Sequence, residues 1–200
     1  MENLFYTIAE QIAGDIKKRI LSGEMGEGSP LREQELSDFY NVSRGPVRDA
    51  LKALSKEGFV IAKPNVGMKV APTPSKPVLD MILSMRKELE VFAIEHVFDD
   101  LTEDDMSALS SLLEDFKAAC LADDIYRVET LDISFHKYFI DKYEDKHLLD
   151  LWQNIINRMM FRYSRLKNLM DVYTEHNEIL ESIIMGDKAK AKELIKQNIQ

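Results

Sequence analysis

Three sets of residues in this chain have the types and spacing to do chemistry. Asp132 and His136 stand four apart in Leu131-Asp-Ile-Ser-Phe-His136. On a helix, that spacing puts a carboxylate and an imidazole on one face, able to share a metal ion or a hydrogen bond. His176, in Thr174-Glu-His176, lies on a later segment and could complete a cluster. By residue type alone, a histidine satisfied by an acidic neighbour is the commoner arrangement. Arg44, Arg48 and Lys52 recur every four residues. Such cations suit phosphates and the base edges of a major groove, and arginine can bond guanine in a bidentate way. Spacing alone fits a solvated face with i, i+4 pairing equally well. Arg86 and Glu90 are also four apart. Their spacing reads as a helix-surface salt bridge worth a few tenths of a kcal/mol. Arg158, Arg162 and Arg165 read as a solvated or dimer-facing stripe, and Trp152, Met159, Met160 and Phe161 as core packing.

These residues need elements to hold them. Ile8, Ile12, Ile16 and Ile20 make an i, i+4 stripe, predicting a helix from Leu4 to Leu21. The glycines of Ser22-Gly-Glu-Met-Gly-Glu-Gly-Ser-Pro30 stop it. A short helix is expected from Arg32 to Phe39, with Leu36 and Phe39 inward, and then a turn at Asn41-Val42. Ser43 is placed to cap the third helix, Pro46 lies in its first turn, and Gly58 ends it. Val47, Ala50, Leu51 and Leu54 form one face of that helix, and Arg44, Arg48 and Lys52 another. A recognition helix needs this division. Two short strands are expected near 59–62 and 68–71, with Asn65 to Gly67 at the bend. Gly67 there would let the backbone approach DNA with no Cβ in the way.

Charge divides the chain. Residues 1–74 carry ten basic and ten acidic residues, whereas 75–200 carry 16 and 25, which accounts for the net charge of −9. Three prolines in Ala71-Pro-Thr-Pro-Ser-Lys-Pro77 make a stiff connector at the division. Seven of the eight glycines precede it. The expected organisation is a small domain over 1–71, a linker over 72–77 and a helical domain over 78–200. Six helices are expected in the latter: 77–98, 102–122, 124–142, 146–168, 170–185 and 187–199. The fold class is mainly α, a winged helix-turn-helix followed by an all-helical bundle.

The 45% apolar content excludes a disordered chain. No run approaches the roughly 20 apolar residues of a membrane helix, and Met1-Glu-Asn-Leu-Phe-Tyr6 has none of the features of a signal peptide. Cys120 is the only cysteine, so no internal disulfide forms. A cytoplasmic location and no membrane partner are expected.

The motifs narrow these readings. Gly28-Ser-Pro-Leu-Arg-Glu-Gln-Glu-Leu-Ser37, Val42-Ser-Arg-Gly-Pro-Val-Arg-Asp-Ala-Leu51, Leu54-Ser-Lys-Glu-Gly-Phe-Val60 and Gly67 resemble the GntR family of bacterial transcription regulators. The resemblance implies that Arg44 and Arg48 contact operator DNA, with Lys52 beside them. It adds Arg32 and Gln34 on the second helix and Gly67 at the wing. Gly45 stands where the family commonly has Thr or Ser, which removes a hydroxyl and weakens the helix start. Met85-Arg-Lys-Glu-Leu-Glu-Val-Phe-Ala93, Asp132-x-x-x-His136, Glu175-His176 and Gly186-Asp-Lys-Ala-Lys-Ala191 resemble the FCD effector domain of the FadR branch. Six helices suggest its shorter, VanR-like subgroup.

That second resemblance implies a divalent metal (Zn, Ni or Mn) held by one Asp and three His. Asp132, His136 and His176 match the first three positions, but the fourth is Asn198. An amide oxygen is a weaker ligand than imidazole for a transition metal. Either the site works with this altered set, or it has lost its metal and binds the effector directly. The resemblance also implies that Arg86 grips the carboxylate of a small-molecule effector. The expected function is a ligand-responsive regulator, a repressor by family habit, that binds a palindromic operator as a homodimer. The alternative is a metal-dependent enzyme using Asp132, His136 and His176, for which no motif supplies a general base.

Overall fold

The computed structural model describes residues 7–63, 67–159 and 168–199. The chain divides between Ser75 and Lys76 into two compact units.

In the first unit, α1 spans Ile8–Leu21. At its start, Thr7 is extended and closes a capping box with Glu10. Leu4, where the helix was expected to begin, lies outside the described residues. Ile12, Ile16 and Ile20 are buried, while Ile8 is 54% exposed. The second helix, α2 (Glu33–Tyr40), ends at Asn41 in the left-handed conformation. Leu36 points inward as expected, but Phe39 does not and is 64% exposed. Its ring lies under the Arg19 guanidinium at 4.7 Å, a favourable use for an exposed aromatic. On a two-turn helix, one core anchor is enough to set the orientation.

The third helix, α3 (Arg44–Glu57), buries Val47, Ala50, Leu51 and Leu54 against α1 and α2. Val47, Leu51 and Leu54 each contribute about 1.5–3 kcal/mol of transfer free energy, and the smaller Ala50 contributes less. Ser43 takes the N-cap position, although its hydroxyl makes no capping bond, and Gly58 ends the helix at φ 87°. Two strands follow, β2 (Val60–Lys63) and β3 (Gly67–Val70), with Val60 opposite Val70. A two-residue strand, β1 (Pro30–Leu31), pairs antiparallel with β3, giving the order β1-β3-β2. The sequence pattern had not shown β1, since two residues carry no period. Asn65 lies outside the described residues.

The second unit is helical throughout its described residues. It comprises α4 (Lys76–Val97), a 3-10 turn (Phe98–Asp100), α5 (Glu103–Leu121), α6 (Ile125–Lys142), α7 (Lys146–Met159), α8 (Leu169–Ile184) and α9 (Lys188–Asn198). All six expected helices are present. The far end of the fourth, with Met160, Phe161, Arg162 and Arg165, lies outside the described residues. The first of them, α4, already includes Pro77 in its first turn, where a missing amide costs little. It packs on α6, α7 and α9, while α5 packs on α6 and α8. Phe116, Phe135, Phe139 and Trp152 fill the core. A charged staple ties the start of α5 to α6. Asp105 caps with Thr102 and also accepts from Tyr138 at 2.7 Å and Lys142 at 2.8 Å. Burial pushes the Asp105 carboxyl up, but Lys142, Tyr138 and Thr102 outweigh it and hold it well below the ordinary range. No described helix is long and apolar enough to cross a membrane.

Candidate functional site

Two sites emerge, one on each unit. On the first, α3 buries one face and exposes Arg44, Arg48 and Lys52 on another. The exposed side chains are organised by α2. Arg48 holds Glu33 with two nitrogens, Nε at 3.0 Å from Oε1 and Nη2 at 2.9 Å from Oε2. The hydrogen bonds from Arg48 keep the Glu33 carboxyl below its usual range. Arg44 donates to the Gln34 side-chain oxygen, and Gln34 Nε2 donates to Asp38 at 2.7 Å. Gln34 and Arg44, expected as separate contacts, are thus one joined pair. Arg32 pairs within its own segment with Glu35, and Lys52 lies 3.7 Å from Asp49. Gly67 opens β3 with φ 90° and open space where a Cβ would stand. Gly45 is not forced by lack of room, since a side chain there would meet only the Ser43 hydroxyl at 3.9 Å. Glu33 was not foreseen. It lies 15 residues from Arg48, and no helical spacing links two helices.

The second site is a buried ionic cluster inside the bundle. Arg86 and Glu90 come from α4, Asp132 and His136 from α6, Trp152 from α7, His176 from α8 and Asn198 from α9. The Arg86–Glu90 pair is not the surface bridge its spacing suggested. The two side chains are 3% and 2% exposed, and Arg86 Nε lies 2.6 Å from Glu90 Oε1. Trp152 is more than packing, because its indole Nε1 donates to the same oxygen at 2.7 Å. Arg86 Nη2 stands 3.8 Å from Asp132 Oδ2. Burial alone would raise the Glu90 carboxyl, but Arg86 and His136 outweigh it and pull it well down. Asp132 is likewise held low against burial, chiefly by its hydrogen bond with His176. Glu129, one turn before Asp132, is raised by burial and by the Asp132 charge.

The two imidazoles show what the cluster can hold. His176 Nδ1 lies 2.7 Å from the Val172 carbonyl, which can only accept. Its Nε2 then faces Asp132 Oδ1 at 3.1 Å. His136 Nδ1 faces Glu90 Oε2 at 2.6 Å, and its Nε2 faces Asn198 Oδ1 at 2.9 Å. The Asn198 amide cannot turn over without loss, because its Nδ2 donates to Glu175 Oε2 at 2.9 Å. Every ring nitrogen therefore meets an acceptor. Asp132, His136 and His176 present ligand atoms within 4.8 Å of one another, all three residues being buried. An outer acceptor on each Nδ1 is the usual support of a metal-binding histidine. The donor set fits a divalent metal. Glu90, Trp152 and Glu175 were not foreseen as parts of this site.

Comparison with known proteins agrees with both halves. The pattern of the bacterial regulatory proteins of the gntR family matches residues 8–70, and that of the FCD domain matches residues 81–200. The HTH-type transcriptional regulator YdhC of Bacillus subtilis is 28% identical, the match covering 94% of this chain and 84% of YdhC. The gluconate operon transcriptional repressor of the same organism is 27% identical over 94% of this chain and 79% of its own length. Among solved structures, Escherichia coli McbR/YncC shares the fold, with a TM-score of 0.77 and 22% identity over 98% of this chain and 96% of that one. These families and relatives are regulators of transcription, not enzymes, which removes the metal-dependent enzyme as a reading of the buried cluster. The chain belongs to the GntR family of bacterial transcription regulators, with a winged helix-turn-helix in front and an FCD domain behind.

Proposed function

We propose that the protein is a repressor that binds a palindromic operator as a homodimer and responds to a small carboxylate held in its bundle. The observation that carries the DNA half is the split face of α3, apolar side buried and Arg44, Arg48 and Lys52 outward. In a two-fold dimer, two such helices would enter successive major grooves about 34 Å apart. Arg44 and Arg48 would contact bases and phosphates, Arg32, Gln34 and Lys52 would flank them, and the Gly67 backbone would approach the duplex edge. The work would be done in the cytoplasm, where the DNA is.

The buried cluster supports the effector half. Arg86, Glu90 and Asp132 together carry one net negative charge. Asp132, His136, His176 and Asn198 would hold a divalent cation, reversing that sign. When bound, the metal supplies a fixed positive anchor for a carboxylate. Arg86 would sit beside the same anion, while Glu90 keeps the guanidinium and the His136 ring in place. The acid relieves repression only if it binds the DNA-incompetent arrangement of the dimer more tightly than the competent one.

A test starts from a randomised duplex pool selected on the purified protein. A palindrome enriched by the wild type, and lost with Arg44→Ala or Arg48→Ala, is the expected result. Enrichment with no two-fold symmetry would sink the dimer reading, and no enrichment over the two variants would sink the DNA assignment. The selected duplex then serves to screen small carboxylates for release.

A further inference from the structure

Asn198 is held in one orientation by a neighbour that is not itself a ligand. Its Nδ2 donates to Glu175 Oε2 at 2.9 Å, and a carboxylate can only accept there. The Oδ1 oxygen is consequently turned toward His136 Nε2, 2.9 Å away. Glu175 is adjacent to His176 on α8, so one helix turn both supplies an imidazole to the cluster and aims the amide from α9. The buried His176 Nε2, 3.1 Å from Asp132 Oδ1, belongs to the same group of converging ligand atoms.

We propose that Glu175 is the orienting carboxylate of an Asn198 amide-oxygen ligand, and that this pair shifts the bundle site toward oxygen-preferring divalent ions such as Mn(II). This rests on the metal reading given above. The donors that converge are two imidazole nitrogens, the Asp132 carboxylate and the Asn198 amide oxygen. Imidazole suits Zn and Ni, whereas carboxylate and carbonyl oxygens suit Mg, Ca and Mn. An imidazole at 198 would make the set nitrogen-rich, and the amide makes it balanced. Absolute affinity for Zn(II) still exceeds that for Mn(II), as the general order of divalent affinities requires. What the Asn198–Glu175 pair sets is the ratio. The Glu175 charge polarises the amide, raises the electron density on Oδ1 and holds it in place without an imidazole's basicity.

The experiment uses the full chain, stripped with a chelator and dialysed free of it. Mn(II) is titrated by the loss of its free-ion electron paramagnetic resonance signal, and Zn(II) by competition with a chromophoric chelator. Wild type, Glu175→Ala, Glu175→Gln, Asn198→His and a His176→Ala control are compared. Circular dichroism and metal-free melting check that each variant folds. Glu175→Ala should weaken Mn(II) about tenfold or more, the usual cost of losing an outer-shell partner. Glu175→Gln, which keeps an acceptor for the amide, should recover part of that loss. Asn198→His should raise the ratio of Zn(II) to Mn(II) affinity by about tenfold or more. Wild type that binds metal while Glu175→Ala and Asn198→His leave both affinities unchanged would overturn this proposal and leave the metal reading standing. Wild type that takes up neither ion at any concentration, like the His176→Ala control, would overturn both.

Discussion

Two arginine–glutamate pairs in this chain are both within hydrogen-bond distance and have opposite surroundings. Arg48 and Glu33 meet at 2.9 Å with side chains 54% and 33% exposed. Arg86 and Glu90 meet at 2.6 Å with side chains 3% and 2% exposed. An exposed pair contributes about 0–1 kcal/mol, because water serves both partners nearly as well. A phosphate or a guanine edge can therefore take Arg48 from Glu33 at small cost. In the buried pair, separation would strand a charge with no water to receive it. Arg86–Glu90 is accordingly fixed scaffold, and it orients His136 through the second Glu90 oxygen. Exchangeable charge lies on the face proposed to meet DNA, and charge that cannot be exchanged lies around the site proposed to hold a small ligand.

The most severe break in that contrast is Glu90→Leu. It leaves Arg86 without its close partner and strips an acceptor from Trp152 Nε1 and His136 Nδ1. A loss of about 3–5 kcal/mol is expected in urea unfolding of the wild type against the variant. A loss under about 1 kcal/mol would show that the bundle admits water there.

Asp105→Asn tests an intermediate case, since the carboxylate is 10% exposed and its Lys142 partner 30%. A cost of about 1.5–3 kcal/mol is expected at neutral pH, the range for hydrogen bonds to a charged group. The sign with pH follows from the lowered Asp105 carboxyl. Its contribution is complete above the unfolded value of about 4 and is lost as pH falls toward the lower folded value. The gap between variant and wild type should therefore shrink on acidification, as melting temperatures from pH 7 to pH 3 would reveal.

Arg48→Ala should lower operator affinity by about 1–3 kcal/mol in fluorescence anisotropy. Unfolding free energy should move by no more than about 0.5 kcal/mol, because the pair is exposed. Stability falling as much as affinity would mean that Arg48 is structural.

Glu33→Gln should have the smallest effect. Removing the competitor for Arg48 should strengthen binding to nonspecific duplex about twofold to fivefold, the equivalent of one exposed ion pair. Equal gains on operator and random duplex would identify Glu33 as a competitor alone. A larger gain on random duplex would show that it also orients Arg48 for its base.

Much of the fold was readable before any coordinates. The third helix, α3, was legible because its apolar and cationic faces repeat at helical spacing and Gly58 punctuates its end. The six bundle helices were legible because glycine and proline are nearly absent after Pro77. Phe39 was misread because α2 is only two turns long, and one buried anchor, Leu36, satisfies it. The strand β1 was missed because it exists only through its pairing with β3. Asp132 and His136 were visible as a pair within one helix, but Glu90, Trp152 and Glu175 were not visible as their partners.

The sequence by itself determined the helices, their caps, the cationic stripe of α3 and the family to which the chain belongs. All of these are properties of neighbours within a few turns, where residue spacing translates directly into direction in space. Only the tertiary structure decided which Arg–Glu pair is buried, which carboxylate restrains Arg48 and which way the Asn198 amide faces. Those depend on groups as far apart in the chain as Glu90 and Trp152, or His136 and Asn198. Burial and hydrogen-bond direction are set when separate helices pack, and no local period encodes them.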